Sequence, residues 1–374
     1  MADVWPFRPL PDSVEQLSWA TDVMRTSASE MRVALRPARQ GLIYSYSARD
    51  PLMGRMAEMI RAAPLGEWLV PVWWDASAWQ PVGAAQTAIP VPPGEWAGQA
   101  LVWAGCDDWA LVDVASQASG QITLAAPVGR EFARAVVVPV RRCIAPAGIS
   151  GARVTDGPFG GRGGAQTAQI EWLSREVVSE PSAPAPTHQG LPVWRACGLP
   201  EPASHRFTPP VAAIDTEMGP VVLEQLRETL RGRWTTSAVT TDRQRLRDMR
   251  GFLRFVNGRD RPFWLAGWAQ DLRAEMPLAA HATVLSVQPV LPLASYAGRV
   301  LAIDDGTLTL HAVTGATEAG GLHVITLAAP LGRPVARARL SFARQVRLDT
   351  DLIELQHRHG FSARLTLPVA EIPA

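Results

Sequence analysis

Fourteen residues of this chain occur twice. ITLAAPVGREFARA at 122–135 returns as ITLAAPLGRPVARA at 325–338, with 11 of 14 positions identical at an offset of 203. A match of that length predicts two copies of one module in a chain of 374 residues, long enough for two or three domains. It also constrains assembly, because a chain carrying one surface twice doubles the symmetry available to its oligomer.

The repeat extends outward. Upstream, GQALVWAGCDDWALVDV (98–114) parallels GRVLAIDDGTLTLHAV (298–313), each an alternating apolar run broken by an Asp-rich turn. That pattern predicts a β-hairpin in each copy. Further upstream, LVPVWWDASAW (69–79) parallels RPFWLAGWAQDL (261–272), and downstream AQTAQIEWLSREV (165–177) weakly parallels FSARLTLPVAEI (361–372). One helix is expected per copy, over 51–63 and 241–258. The second places Leu246, Met249, Leu253 and Val256 at helical spacing before a Gly stop.

The expected fold is therefore mainly β (α+β): two duplicated β-barrel or sandwich modules, each with one packed helix. The first module spans 1–178 and the second 205–374. A Pro/Ala-rich linker at 179–204 separates them; its SEPSAPAPTHQGLP (179–192) reads as an extended spacer.

Chemistry is scarce. GGRGG (160–164) lacks the Lys-Ser/Thr and the strand-to-helix setting of a phosphate loop. His357 and His359 would share one face of a strand, half of a metal site, but no third ligand sits at a telling distance. A polar face beside a turn is the expected role. Asp107 and Asp108, like Asp304 and Asp305, fall at hairpin tips and read as turn residues rather than acid–base pairs. Cys106, Cys143 and Cys197 are odd in number and far apart, which suits buried free thiols, not a disulfide framework or a zinc site. No enzyme, metal or cofactor is expected.

Net charge is +1, with every basic residue an arginine, so no global field draws the chain to nucleic acid or membrane. The opening MADVWPFRPLPDS lacks a basic start and an apolar h-region, and no stretch reaches the roughly 18 apolar residues of a membrane span. The expectation is a soluble product with neither a signal peptide nor a membrane partner. Of the 14 tryptophans, Trp73, Trp74, Trp79, Trp264 and Trp268 could form a stacking platform for sugars or bases. Their recurrence in both copies favours a place in cores and interfaces.

Two segments carry a resemblance. GRDRPFWLAGWAQDL (258–272), following a helix, resembles a pattern in tail proteins of long-tailed (siphovirus-like) bacteriophages and gene transfer agents. Glu30, Arg32, Leu35, Arg36, Arg39 and Tyr44 in the first copy resemble the opening of the same proteins. The first copy departs from the pattern with VWWDASAW, and the second lacks a clear E-x-R opening. The resemblance implies a structural virion protein: a distal tail or baseplate-hub protein with a tail-tube-like β module. It would be assembled in the host cytoplasm and join the hexameric tube to the tip and receptor-binding apparatus. It implies a homo-oligomeric ring, a trimer or a hexamer, in contact with tube, hub and fibre proteins and with no sequence-specific nucleic acid. Interface candidates are Arg32, Arg36, Arg39, Trp74, Trp264 and Trp268. The alternative is a Trp-rich carbohydrate- or receptor-binding module of the tip.

Overall fold

Strand follows strand along almost the whole chain, as its short alternating apolar runs dictate. The computed structural model describes residues 2–25, 30–48, 50–63, 65–118, 120–153, 166–176, 184, 186–195, 204–208, 211–214, 221–225, 231–267, 270–358 and 362–372. The GGRGG segment, Cys197, Trp268 and His359 lie outside the described residues.

The first half opens with β1 (Asp3–Val4), β2 (Ser13–Arg25), β3 (Glu30–Ala48), α1 (Asp50–Ala62) and β4 (Trp68–Pro71). There follow β5 (Gln80–Val82), β6 (Ala88–Pro90), β7 (Gly98–Gly105), β8 (Asp108–Ala118) and β9 (Gln121–Leu124). It closes with β10 (Phe132–Ile144), β11 (Ile149–Arg153) and β12 (Gln166–Ser174).

The second half contains β13 (Thr187–His188), β14 (Leu191–Trp194), β15 (Ser204–Thr208), β16 (Val211–Ile214), β17 (Val222–Gln225) and β18 (Arg231–Thr240). Then come α2 (Arg243–Val256), β19 (Phe263–Ala266), β20 (Val284–Val287), β21 (Val300–Asp304), β22 (Leu308–Ala319) and β23 (Leu322–Leu327). β24 (Arg339–Leu348), β25 (Leu352–Arg358) and β26 (Ser362–Glu371) complete it. The fold is mainly β.

Strand pairing recurs between the halves. β10 runs against β4 with Cys143 opposite Trp68, and β24 runs against β19 with Val346 opposite Phe263. β1 lies parallel to β4 as β14 lies parallel to β19. The β8–β9 ladder slips between Val114 and Ser116, facing Leu124 and Thr123. The β22–β23 ladder slips between Val313 and Gly315, facing Leu327 and Thr326. A bulge thus falls at the same place beside each copy of the 14-residue repeat. The two expected Asp-tipped hairpins are β7–β8 and β21–β22.

This register corrects one sequence parallel. Trp264 pairs with Gln345 in β24 at the position where Leu69 pairs with Arg142 in β10. Its counterpart is therefore Leu69, not one of the Trp73–Trp74 pair. The linker is also shorter than its composition suggests. β14 lies inside it, and Val193 and Trp194 are buried in second-half cores. Val193–Trp194 stands where Val4–Trp5 stands in the first half, so the second structural unit begins before residue 205.

Each helix covers one core. α1 sets Met53, Met56 and Ile60 against Trp5, Tyr44, Tyr46 and Trp172. α2 is capped by Asp242, whose side chain accepts from the Gln244 and Arg245 amides, and ends at Asn257 in the left-handed conformation. The expected stripe of Leu246, Met249, Leu253 and Val256 is buried against β18, β19 and β24–β26. The β5–β10 and β20–β24 layers enclose smaller cores of their own.

The halves meet edge to edge. In antiparallel order, β15, β18, β26, β25, β2, β3, β12 and β11 form one continuous sheet of eight strands. The crossing point is β2 against β25, from Ser13 opposite His357 to Ser18 opposite Leu352. β2 and β3 also lend Leu17, Trp19 and Ala38 to the core beneath α2. The first module does not keep to its own core.

Candidate assembly interface

The junction between the halves is held by buried charge. α2 turns its apolar stripe to its own core and Arg243, Arg250 and Arg254 to the first half. Arg250 Nε donates to Glu15 Oε2 at 2.7 Å, and its Nη1 donates to Asp75 Oδ1 at 3.1 Å. Gln40 Nε2 donates to Glu15 Oε1 at 2.6 Å. Arg254 pairs with Glu95, which also accepts from Arg141 Nη2 at 2.9 Å, and Arg243 Nη1 donates to the Ala76 carbonyl at 2.8 Å.

Isolated ions would not tolerate such burial; these persist because each charge meets an opposite one. Burial alone would raise the Glu15 carboxyl, but Arg250, with help from His357, outweighs it and holds the group well below the usual carboxylate range. Arg250 is pushed the other way: burial opposes its charge, and Asp75 and Glu15 overcome that to raise it.

His357 belongs to this cluster, which corrects its expected place on a polar face by a turn. It is buried, its ring stacks on Trp74 at 4.2 Å between centroids and 4°, and its Nε2 lies 3.3 Å from Glu15 Oε2. Burial lowers its pKa despite the Glu15 contact. Neutral at pH 7, the ring donates from Nε2, the tautomer Glu15 selects. Arg250 also lies over the Trp74 ring at 5.7 Å.

A second feature projects from the junction. Beyond Ser18 and Arg39, β2 and β3 continue as a two-stranded arm, Met24 opposite Met31 and Asp22 opposite Val33. The arm is fastened to the second half by Arg347, which is buried and donates to Glu30 at 2.5 and 3.1 Å. Arg259 adds a clamp on Asp351, which in turn accepts from the Thr21 amide. The other arm face is bare: Met24, Met31, Val33 and Leu35 are all exposed, Leu35 to 67%.

The three opening-motif arginines lie on this arm and its base. Arg32 approaches Glu30 at 4.0 Å, Arg36 Nη2 donates to the Trp19 carbonyl at 3.0 Å, and Arg39 is exposed opposite Ser18. Tyr44 of the same motif is buried and donates to the Pro71 carbonyl at 2.8 Å. Trp74 and Trp264 are both buried within the chain, Trp74 at the junction and Trp264 on the β19–β24 layer. Neither presents a surface to another molecule.

The hairpin-tip aspartates meet arginines of the repeat: Asp108 pairs with Arg130 and Asp305 with Arg333, the two arginines holding the same position of the 14-residue repeat. Among the described residues no group of three or more His, Cys, Asp and Glu side chains is placed to hold a metal, and no helix is long and apolar enough to cross a membrane. No model of a known family matches the chain, and no curated protein matches it significantly.

Proposed function

We propose that this chain is a non-enzymatic structural protein of a bacteriophage tail tip, a distal-tail or hub component that joins a hexameric tube to the tip apparatus. Its two halves are duplicated modules, and three chains would present six of them in a ring. The observation that carries this reading is the β2–β25 ladder. Through it two similarly ordered four-strand sheets already lie edge to edge inside one chain, as neighbours in a ring would. The exposed apolar face of the arm supports the same reading, since a two-stranded ribbon is marginal alone and gains stability against a partner. Mass measurement of the purified protein by sedimentation is expected to give a trimer, or a hexamer of stacked or concentric rings. A monomer at all concentrations would remove the support. Glycan binding draws less support: among the described residues Trp79 is the one exposed tryptophan, and Arg134 lies over it at 4.9 Å.

A further inference from the structure

The sheet that joins the halves has two ends, β11 and β15. Among the described residues each pairs with a single neighbour, β11 with β12 and β15 with β18. Among those residues each leaves a row of backbone N–H and C=O groups open, the arrangement that templates strand addition. Inside the chain the equivalent edges are closed, because β25 and β2 pair with each other.

Equivalence follows from register. Leu355 faces Leu365, which lies six positions before Glu371 at the contact of β26 with β24. Gly151 faces Ala168, six positions before Ser174 at the contact of β12 with β10. Gly151 therefore holds the place of Leu355. By the same reasoning Leu42, opposite Trp172, corresponds to Trp234, opposite Val369. Glu15 faces Leu42 and His205 faces Trp234, so His205 holds the place of Glu15.

We propose that β11 of one chain pairs antiparallel with β15 of a second copy, in the register set by β25 and β2. Gly151 then lies opposite His205, Ser150 opposite Arg206 and Ile149 opposite Phe207. The residue types agree. Within the chain the Leu17–Ile353 pair is buried in the core beneath α2. The corresponding pair across the new contact is Phe207 with Ile149, apolar at both positions. A polar pair there would leave the neighbouring core without the side chain that Leu17 supplies. Because the two edges differ, the contact is head to tail and propagates until it closes on itself. Closure at three copies rests on the tail-ring reading above; the edge pairing does not.

The test is cysteine cross-linking of the full chain. Residues directly opposite in an antiparallel ladder have Cα atoms about 4.5–5.5 Å apart, within disulfide reach. Gly151→Cys with His205→Cys, oxidised and run without reductant, is expected to give covalent dimers and a trimer as the final species. Ser150→Cys with Arg206→Cys repeats the test should the first pair fail to fold. Each single variant, and Gly151→Cys with Phe207→Cys two positions out of register, is expected to give at most traces. A trimer by sedimentation in which neither matched pair cross-links would overturn the edge pairing and leave the ring reading standing. Matched cross-links that close at two copies, or run on as an open ladder, would support the edge pairing and overturn the threefold ring. A protein that stays monomeric and uncross-linked would overturn both.

Discussion

Arg250 and Glu15 lie 235 positions apart in the chain and meet at 2.7 Å with both side chains buried. One guanidinium from the second half thereby holds a strand and, through Asp75, a turn of the first. Removing one partner of a buried pair leaves an uncompensated charge, at a cost of about 3–5 kcal/mol. Arg250→Met and Glu15→Gln are each expected to lose stability on that scale in urea unfolding, and Arg250→Met with Glu15→Leu to recover part of it. Single variants within about 1 kcal/mol of the parent would mean that the junction does not depend on this pair.

The same cluster makes stability fall toward acid pH. His357 is held below its ordinary value of 6.5, so the unfolded chain takes up a proton that the folded chain resists, and stability drops as pH falls below about 6.5. Glu15 is held below its ordinary 4.5. Its contribution is complete above about that pH and is lost as pH falls through the lower folded value. Melting temperatures from pH 8 to about pH 2 are expected to decline over both windows. His357→Gln should flatten the upper one and leave the lower one in place. An unchanged upper slope in that variant would assign the loss to another group.

Gly129 and Gly332 occupy the same place in the two copies of the repeat, with φ of 81° and 77°, and a Cβ on either would meet nothing within 4 Å. The cost of alanine there is purely conformational, about 1–2 kcal/mol. Gly129→Ala and Gly332→Ala are expected to destabilise by similar amounts in chemical denaturation. A loss at only one of them would show that the two loops carry different strain.

Leu35 stands exposed at an irregularity of the arm, where Ala20 faces Arg36 and Thr21 faces Ala34. Leu35→Arg removes no core contact, so the unfolding free energy should stay within the usual surface range of about 0.5 kcal/mol. Self-association read by sedimentation velocity should weaken. Unaltered association would take the arm face out of the interface.

What the sequence disclosed and what it hid separate along contact distance. The hairpins at Asp108 and Asp305 and the stripe and stop of α2 rest on residues a few positions apart. Local pattern and turn chemistry were enough for them. The β2–β25 ladder was not legible, because its two strands are over 300 positions apart and neither carries a local mark of its partner. His357 was misplaced for the same reason: its burial depends on Trp74 and Glu15, both far away in the chain. Two further signals lie in the sequence. Val4–Trp5 recurs as Val193–Trp194 inside the Pro-rich stretch, and Arg243, Arg250 and Arg254 fall on one helical face. The family resemblance found no support in the comparisons, so the tail reading is a proposal for the sedimentation and cross-linking experiments to decide.

The loan of Leu17 and Trp19 from β2 to the core beneath α2 has a consequence for the order of events at the ribosome. β2 is synthesised more than 300 residues before β25, its partner across the junction. Until then the far edge of β2 has no in-chain cover and Trp19 has no core to enter. Closing this pairing is a long-range step, slow by its loop entropy, and a nascent chain stalled in the second half exposes a sticky edge. A C-terminal fragment begun after the Pro-rich stretch would lack Leu17, Trp19 and Ala38 from the core beneath α2. For this protein the natural place to cut in sequence is not a place where the structure comes apart.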